Sequence, residues 1–229
     1  MSALFPKWMN ALPTIGAVAT AGGLVAVITG FTYYATPEFW EVGYMPEQPG
    51  AGFNHQLHAG ELGMDCLYCH THIDESPEAN VPNVATCMGC HAEERLQSWQ
   101  YHDVGFVREA YAKDEAIEWR RVHKLPDYVR NFPHHVHIQV GVSCYSCHGQ
   151  IMGMPVVYQA HSLSMAWCLD CHRNPEPHLV PPDKVTDLAW VEEHLAERAK
   201  DGTTGVTEAR ALIESLHRAP PQTCFACHH

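Results

Sequence analysis

Every cysteine in the chain belongs to a Cys-x-x-Cys pair, and every pair is followed at once by histidine. The five runs are Cys66-Leu-Tyr-Cys69-His70, Cys87-Met-Gly-Cys90-His91, Cys144-Tyr-Ser-Cys147-His148, Cys168-Leu-Asp-Cys171-His172 and Cys224-Phe-Ala-Cys227-His228. Residues three apart share one side of a helical turn, so both thiols of a pair can reach the two vinyl groups of one porphyrin. The next histidine then lies under the ring and binds the iron from the proximal side, as in c-type haem attachment. Zinc knuckles, redox-active dithiols and structural disulfides also pair cysteines, but none requires that histidine. With 18 histidines in 229 positions, five such neighbours by accident come to about 3 in a million. The spacing predicts five haem c groups and leaves no thiol for another task.

Five histidines are proximal ligands, so thirteen are left for the distal side, more than five irons need. His55 lies 11 residues before Cys66 and His134 lies 10 before Cys144, a span that lets each fold back over the haem that follows it. His58 and His137, three residues further on, point elsewhere and are expected to reach a second haem. His123 is the fifth candidate. Met154, Met165 and His161 stand as alternatives, and an axial methionine would raise the potential of its haem. His194 and His217 read as solvated surface residues. Iron held by two histidines has no position free for a substrate, so the expected role is electron transfer without bond chemistry.

These residues must be positioned by very little protein. Residues 36–229 supply about 39 residues per haem, too few for each haem to have a conventional core. The expected fold is mainly α and irregular coil, a haem-dense multihaem cytochrome c domain behind one N-terminal transmembrane helix. An internal repeat organises it: Phe53-Asn-His55-Gln-Leu-His58 opens residues 53–91, and Phe132-Pro-His134-His-Val-His137 opens residues 132–172. Each span is read as a two-haem module. Between the modules, Glu93–Tyr101 and Val107–Trp119 read as helical. After a proline-rich turn at 174–182, an amphipathic pair is expected over 186–218. One face would carry Leu188, Val191, Leu195 and Ala199, the other Val206, Ala209, Leu212, Ile213 and Leu216. Residues 224–228 hold the fifth haem, set apart as a terminal port.

Twenty-six acidic residues against 14 basic give a formal charge of −12, and the one basic cluster (Arg120, Arg121, Lys124, Arg130) is short. Nucleic-acid binding through a basic face is excluded. No charged residue occurs between Lys7 and Glu38. Within that gap Thr14–Tyr34 would make a helix of about 31 Å, the thickness of the hydrocarbon layer. Trp8 on one side and Tyr33, Tyr34, Trp40 and Tyr44 on the other suit an interfacial belt. The run is too long for a signal-peptide core and no small-x-small site follows it. The expected layout is therefore a cytoplasmic segment at 1–13, an uncleaved anchor at 14–34 and a pentahaem domain at 35–229. That domain lies on the periplasmic side of a bacterial inner membrane, where haem c is attached. Gly22, Ala26 and Gly30 form a small-residue stripe suited to a neighbouring membrane helix.

The stretch Arg121-Val-His123-Lys-Leu-Pro-Asp-Tyr-Val-Arg, then Phe132-Pro-His-His-Val-His137, Gly141-Val-Ser-Cys144-Tyr-Ser-Cys-His-Gly149 and Leu163-Ser-Met-Ala-Trp-Cys168-Leu-Asp-Cys-His-Arg173 resembles the pentahaem subunit of alternative complex III, a quinol:electron-acceptor oxidoreductase. The Phe-x-His-x-x-His openings also resemble the cytochrome c3/c7 type. The likeness runs from the anchor to residue 173 and fails over 186–218. It implies a membrane complex with an iron–sulfur subunit, integral quinone-site subunits and a monohaem cytochrome c. In such a complex this chain would pass electrons from iron–sulfur clusters towards a periplasmic acceptor or terminal oxidase. The alternatives are a haem-wire subunit of another respiratory complex, for example one serving a molybdenum enzyme, and a membrane-anchored tetrahaem quinol dehydrogenase. A pentahaem nitrite reductase would need a Lys-ended motif, and none is present.

Overall fold

The computed structural model describes residues 6–96, 104–125, 129, 132–216 and 219–228. Two compact units divide the chain, Met1–Trp40 and Glu41–His229. The first is built on α1, Leu12–Ala35. Pro in its first turn costs no hydrogen bond. At the other end Thr36 turns to extended backbone and donates its Oγ1 to the Tyr33 carbonyl, and Pro37 follows. A four-residue helix, α2 (Pro37–Trp40), closes the unit. Val18, Leu24, Val25, Val27, Ile28 and Phe31 are all exposed, so α1 is apolar all round rather than along one stripe, as a membrane span is. The helical stretch Lys7–Tyr33 contains an 18-residue segment of mean hydropathy 1.9 and is long and apolar enough to cross a membrane. The expected run, Thr14–Tyr34, lies within α1.

The second unit is short helices joined by irregular chain. No strand forms among the described residues, and a single isolated antiparallel bridge links Val142 to Leu179. In chain order its helices are α3 (Cys66–Cys69), α4 (Val84–His91), α5 (Gly105–Lys113), α6 (His134–Gln139), α7 (Cys144–His148), α8 (Met165–Arg173), α9 (Leu188–Asp201), α10 (Val206–Ser215) and α11 (Cys224–Cys227). The mainly helical and irregular fold expected of the chain is the one observed.

Helix α5 is shorter than the expected Val107–Trp119. Asp114 takes the left-handed conformation (φ 56°) and its N–H turns back to the Ala110 and Tyr111 carbonyls, which ends the helix at Lys113. Glu93–Leu96 forms a turn rather than a helix, and the rest of the expected Glu93–Tyr101 helix lies outside the described residues.

A small apolar core of Val180, Val185 and Val191 gathers Ile138, Tyr145, Trp190 and Leu195 around it. Helix α9 starts on Asp187, whose side chain accepts from the Trp190 N–H. It buries Leu188 and Val191 as expected, and α10 buries Ala209. The expected Ala199 is exposed, and Arg198 is buried in its place at 6% exposure. Its guanidinium donates to the carbonyls of Thr204 (2.7 Å), Glu176 (2.8 Å) and Leu179 (2.9 Å). That fork ties α9 to the α9–α10 turn and to the preceding 3₁₀ turn, Glu176–His178. Periodicity alone cannot distinguish Ala199 from a neighbouring arginine whose donors all find carbonyls. His194, expected to be solvated, stacks on Trp190 with ring centroids 4.3 Å apart and accepts from the Arg198 guanidinium. His217 lies outside the described residues.

Gly141 shows why the bridge needs glycine. Its φ is +85°, and a Cβ there would collide with the Val180 carbonyl oxygen, the residue whose N–H bonds to Gly141 O at 2.9 Å.

Candidate functional site

Each Cys-x-x-Cys-His run starts or ends a short helix, and the residue before that helix explains why. Asp65 accepts from the Leu67 N–H to start α3, Asn83 accepts from Thr86 to start α4, Ser143 from Tyr145 to start α7 and Ser164 from Trp167 to start α8. Thr223 precedes α11 in the same extended conformation without a side-chain bond. Numbered in chain order, sites I and III open their helices with the first cysteine, whereas sites II and IV close two-turn helices, α4 and α8. That alternation follows the sequence repeat.

The two Phe-x-His-x-x-His openings are superimposable in their ring contacts. Phe53 stacks on His58 (4.4 Å, 28°) and meets His55 edge-on (4.7 Å, 81°). Phe132 stacks on His137 (4.4 Å, 23°) and meets His134 edge-on (4.9 Å, 84°). His58 then faces His91 of site II at 5.9 Å between ring centroids, and His137 faces His172 of site IV at 6.2 Å. In each module the second histidine therefore skips the nearer site and reaches the next one.

The Nδ1 atoms of these rings are tied back to the main chain. His58 Nδ1 lies 2.8 Å from Asn54 O, His137 3.0 Å from Pro133 O, His134 2.7 Å from Pro77 O, His70 3.0 Å from Asn80 O and His172 2.6 Å from Pro221 O. A carbonyl can only accept, so the proton sits on Nδ1 and the lone pair on Nε2 is left for a metal. Among the described residues, the buried Nδ1 atoms of His55 and His91 meet no hydrogen-bond partner. His123 differs from the rest: its Nε2 lies 3.0 Å from Nδ1 of His148, with the two rings edge-on at 4.2 Å.

Burial favours the neutral form of the His55, His123, His137 and His148 rings. Burial, then the neighbouring His70, His58 and His123, holds His55 down to about 4, and burial with His134 and Arg121 nearby does the same to His123. Burial lowers His137 and drives His148 well below its ordinary value, with His123, His134, His70 and His55 adding to it. Several thiols move the other way, whereas the neighbouring Cys144 lowers Cys66. Burial pushes Cys147 up to about 12 and raises Cys69, Cys87, Cys168 and Cys171. Among the described residues no three or more His, Cys, Asp or Glu converge to hold a bare metal ion.

The spatial order of the sites differs from their order along the chain. Cys69 of site I lies close enough to feel Cys87 and Cys90 of site II. Cys144 of site III lies beside Cys66 of site I, close enough for the two thiols to perturb one another. Cys147 lies near Cys171 and Cys168 of site IV, and Cys168 near Cys227 of site V. The row therefore runs II–I–III–IV–V.

Residues that carried no sequence signal hold this row together. The Val185 carbonyl accepts from Ser143 Oγ at 2.7 Å, and Thr186 Oγ1 donates to Asp65 Oδ2 at 2.9 Å. The residues that start α3 and α7 thus share one turn at the head of α9. Beyond α10, Pro221 supplies the carbonyl for His172. At site II, Arg108 of α5 donates to His91 O at 2.8 Å and to Leu96 O at 2.6 Å. Periodicity cannot reveal such side-chain-to-carbonyl bonds across long separations.

The alternative ligands are placed differently from one another. Met154 is buried in the packing beside Gly149. His161 stacks on Trp167 of α8 at 5.5 Å, and Met165, one turn ahead of Cys168, is 60% exposed.

No family model matches the chain. A relative does. The multihaem cytochrome c subunit of the menaquinone reductase of Nitratidesulfovibrio vulgaris is 26% identical over 213 residues, which is 93% of this chain and 90% of that one. A match of that length exceeds the second unit and so enters the first.

Proposed function

We propose that this chain is a multihaem cytochrome c, the electron-relay subunit of a membrane-bound quinone-linked oxidoreductase. The repeated facing of His58 with His91 and of His137 with His172 carries the reading. Centroid separations of 5.9 and 6.2 Å leave room for one metal ion between two Nε2 atoms, at about 2 Å per bond. The rest of the polypeptide fits the same group: among the described residues only nine apolar side chains are buried, a small core for a unit of this length.

Bound haem c supplies a one-electron iron couple tuned by its axial ligands. The ten cysteines would attach five such groups, and His70, His91, His148, His172 and His228 would be the proximal ligands. His55 and His134 are assigned to sites I and III, among whose imidazoles they lie, and His58 and His137 to sites II and IV. Site V is left to Met165 or His161. Helix α1 anchors the chain, with the second unit on the periplasmic side. Sites II and V end the row, and Phe225 of site V is 86% exposed, which suits a contact with a partner.

The relative is part of a menaquinone reductase, which favours electrons leaving this chain towards a quinone. The alternative complex III resemblance favours the reverse direction, from quinol through an iron–sulfur subunit to a periplasmic acceptor or oxidase. The purified complex decides between them. Rapid reduction of its haems by a menaquinol analogue supports the second direction. Reoxidation of pre-reduced haems by a menaquinone analogue, without reduction by the quinol, supports the first. Absence of both reactions removes the quinone link.

Two simpler results are expected of the purified chain. A haemochrome assay should return five haems per polypeptide, and four or fewer would refute the motif reading. Carbon monoxide added to the reduced chain should leave its spectrum nearly unchanged, because the distal positions are filled by side chains. A large bound fraction would restore a substrate-binding haem.

A further inference from the structure

We infer that His123 is a positioning residue for the His148 imidazole, its Nε2 accepting the Nδ1–H of that ring. The inference rests on the proposed role of His148 as the proximal ligand of site III. If Nε2 of His148 is given to the iron, its proton must be on Nδ1, and the atom 3.0 Å from that Nδ1 is His123 Nε2. The two rings are edge-on, with 88° between their planes and centroids 4.2 Å apart, which keeps the two nitrogens within hydrogen-bond reach. A distal ligand of the same iron would face Nε2 of His148, not Nδ1. The bond also occupies the His123 nitrogen that would otherwise bind iron at another site.

The main chain on both sides of His123 is fixed. The Lys124 N–H donates to Gln159 Oε1 at 2.7 Å, and Arg121 Nε donates to the His123 carbonyl at 3.0 Å. Gln159 itself is fully buried and clamps the Gly43–Tyr44 segment through its own backbone, at 2.8 and 3.0 Å. At His70 and His172 the corresponding acceptor is a backbone carbonyl, which substitution cannot remove. At His148 it is a side chain, so substitution of one residue can change the basicity of that ligand.

A hydrogen-bonded imidazole is the more basic ligand and favours the oxidised iron. The test uses the full-length chain in detergent, with haem count, spin state and a potentiometric titration as readouts. His123→Leu and His123→Asn both lose an acceptor at the right reach. In each, five haems should remain low-spin while one of the five components shifts upward by about tenfold in its redox equilibrium, 59 mV for one electron. His123→Gln places an amide oxygen near the position of Nε2 and should keep that component close to its original potential.

A high-spin, carbon monoxide-binding haem in the Leu and Asn variants would make His123 a distal ligand and overturn the inference. Unchanged potentials in both would do so as well, and so would a Gln variant that shifts as far as Leu. The underlying assignment is tested separately by Cys144→Ser with Cys147→Ser. That chain should lose one haem together with the component that responds to His123. Retention of all five would refute site III itself.

Discussion

His58→Ala should convert one haem to a high-spin, carbon monoxide-binding form, and that haem should be the one at Cys87 and Cys90 rather than the nearer one at Cys66 and Cys69. The reason is geometric. His58 faces His91 at 5.9 Å, and its Nδ1 is fixed on the Asn54 carbonyl with Phe53 stacked on the ring. Alanine removes the imidazole that faces His91 across the site. His137→Ala should act likewise on the haem at Cys168 and Cys171, since its partner is His172 at 6.2 Å. Each change affects one haem in five, so a fifth of the ferric signal should become high-spin in the electron paramagnetic resonance spectrum. Combining His58→Ala with Cys87→Ser and Cys90→Ser should abolish the new signal, because its haem is gone. Five low-spin haems at unchanged potentials in the single variants would show that these histidines are not ligands.

The second large effect is on stability. Arg198→Met should destabilise the chain by about 3 kcal/mol, because it leaves the buried Leu179 carbonyl and the half-buried Thr204 and Glu176 carbonyls without that donor. At about 2 to 4 °C per kcal/mol for a chain of this size, the unfolding midpoint should fall by roughly 10 °C in a circular-dichroism melt. Arg198→Lys should recover only part of this, since one ammonium on a flexible stem cannot span three acceptors held by a planar fork. A methionine variant that melts with the unmodified chain would mean that the guanidinium is not what joins α9 to the turns beside it. The loss should reach the sites as well, because the Val185–Thr186 turn at the head of α9 holds both Ser143 and Asp65.

Much of this was legible in the residues alone. Spacing of three puts both cysteines on one side of a turn, and the histidine that follows them is local chemistry, so the five motifs needed no tertiary information. The apolar run between Lys7 and Glu38 likewise predicts α1 from length and composition, and the observed helix contains the expected span. The repeat of Phe-x-His-x-x-His predicted two equivalent modules, and their ring contacts agree to within 0.2 Å between Phe53–His55 and Phe132–His134. What failed locally did so for identifiable reasons. Asp114 ended α5 early by taking a left-handed turn, and Arg198 displaced Ala199 from the buried face because its donors found carbonyls.

The sequence by itself determined the five Cys-x-x-Cys-His motifs and the presence of an apolar helix, because each depends on residues close together in the chain. Tertiary structure alone decided which motifs lie side by side and which histidine rings face one another. It also placed the Val185–Thr186 turn and Pro221 at the sites, and turned His123 towards His148. Those facts depend on side chains that are many residues apart, such as Ser143 with Val185 and His172 with Pro221. A pattern read along the chain carries no distance between such residues. Their bonds exist only once the irregular segments have closed around the sites.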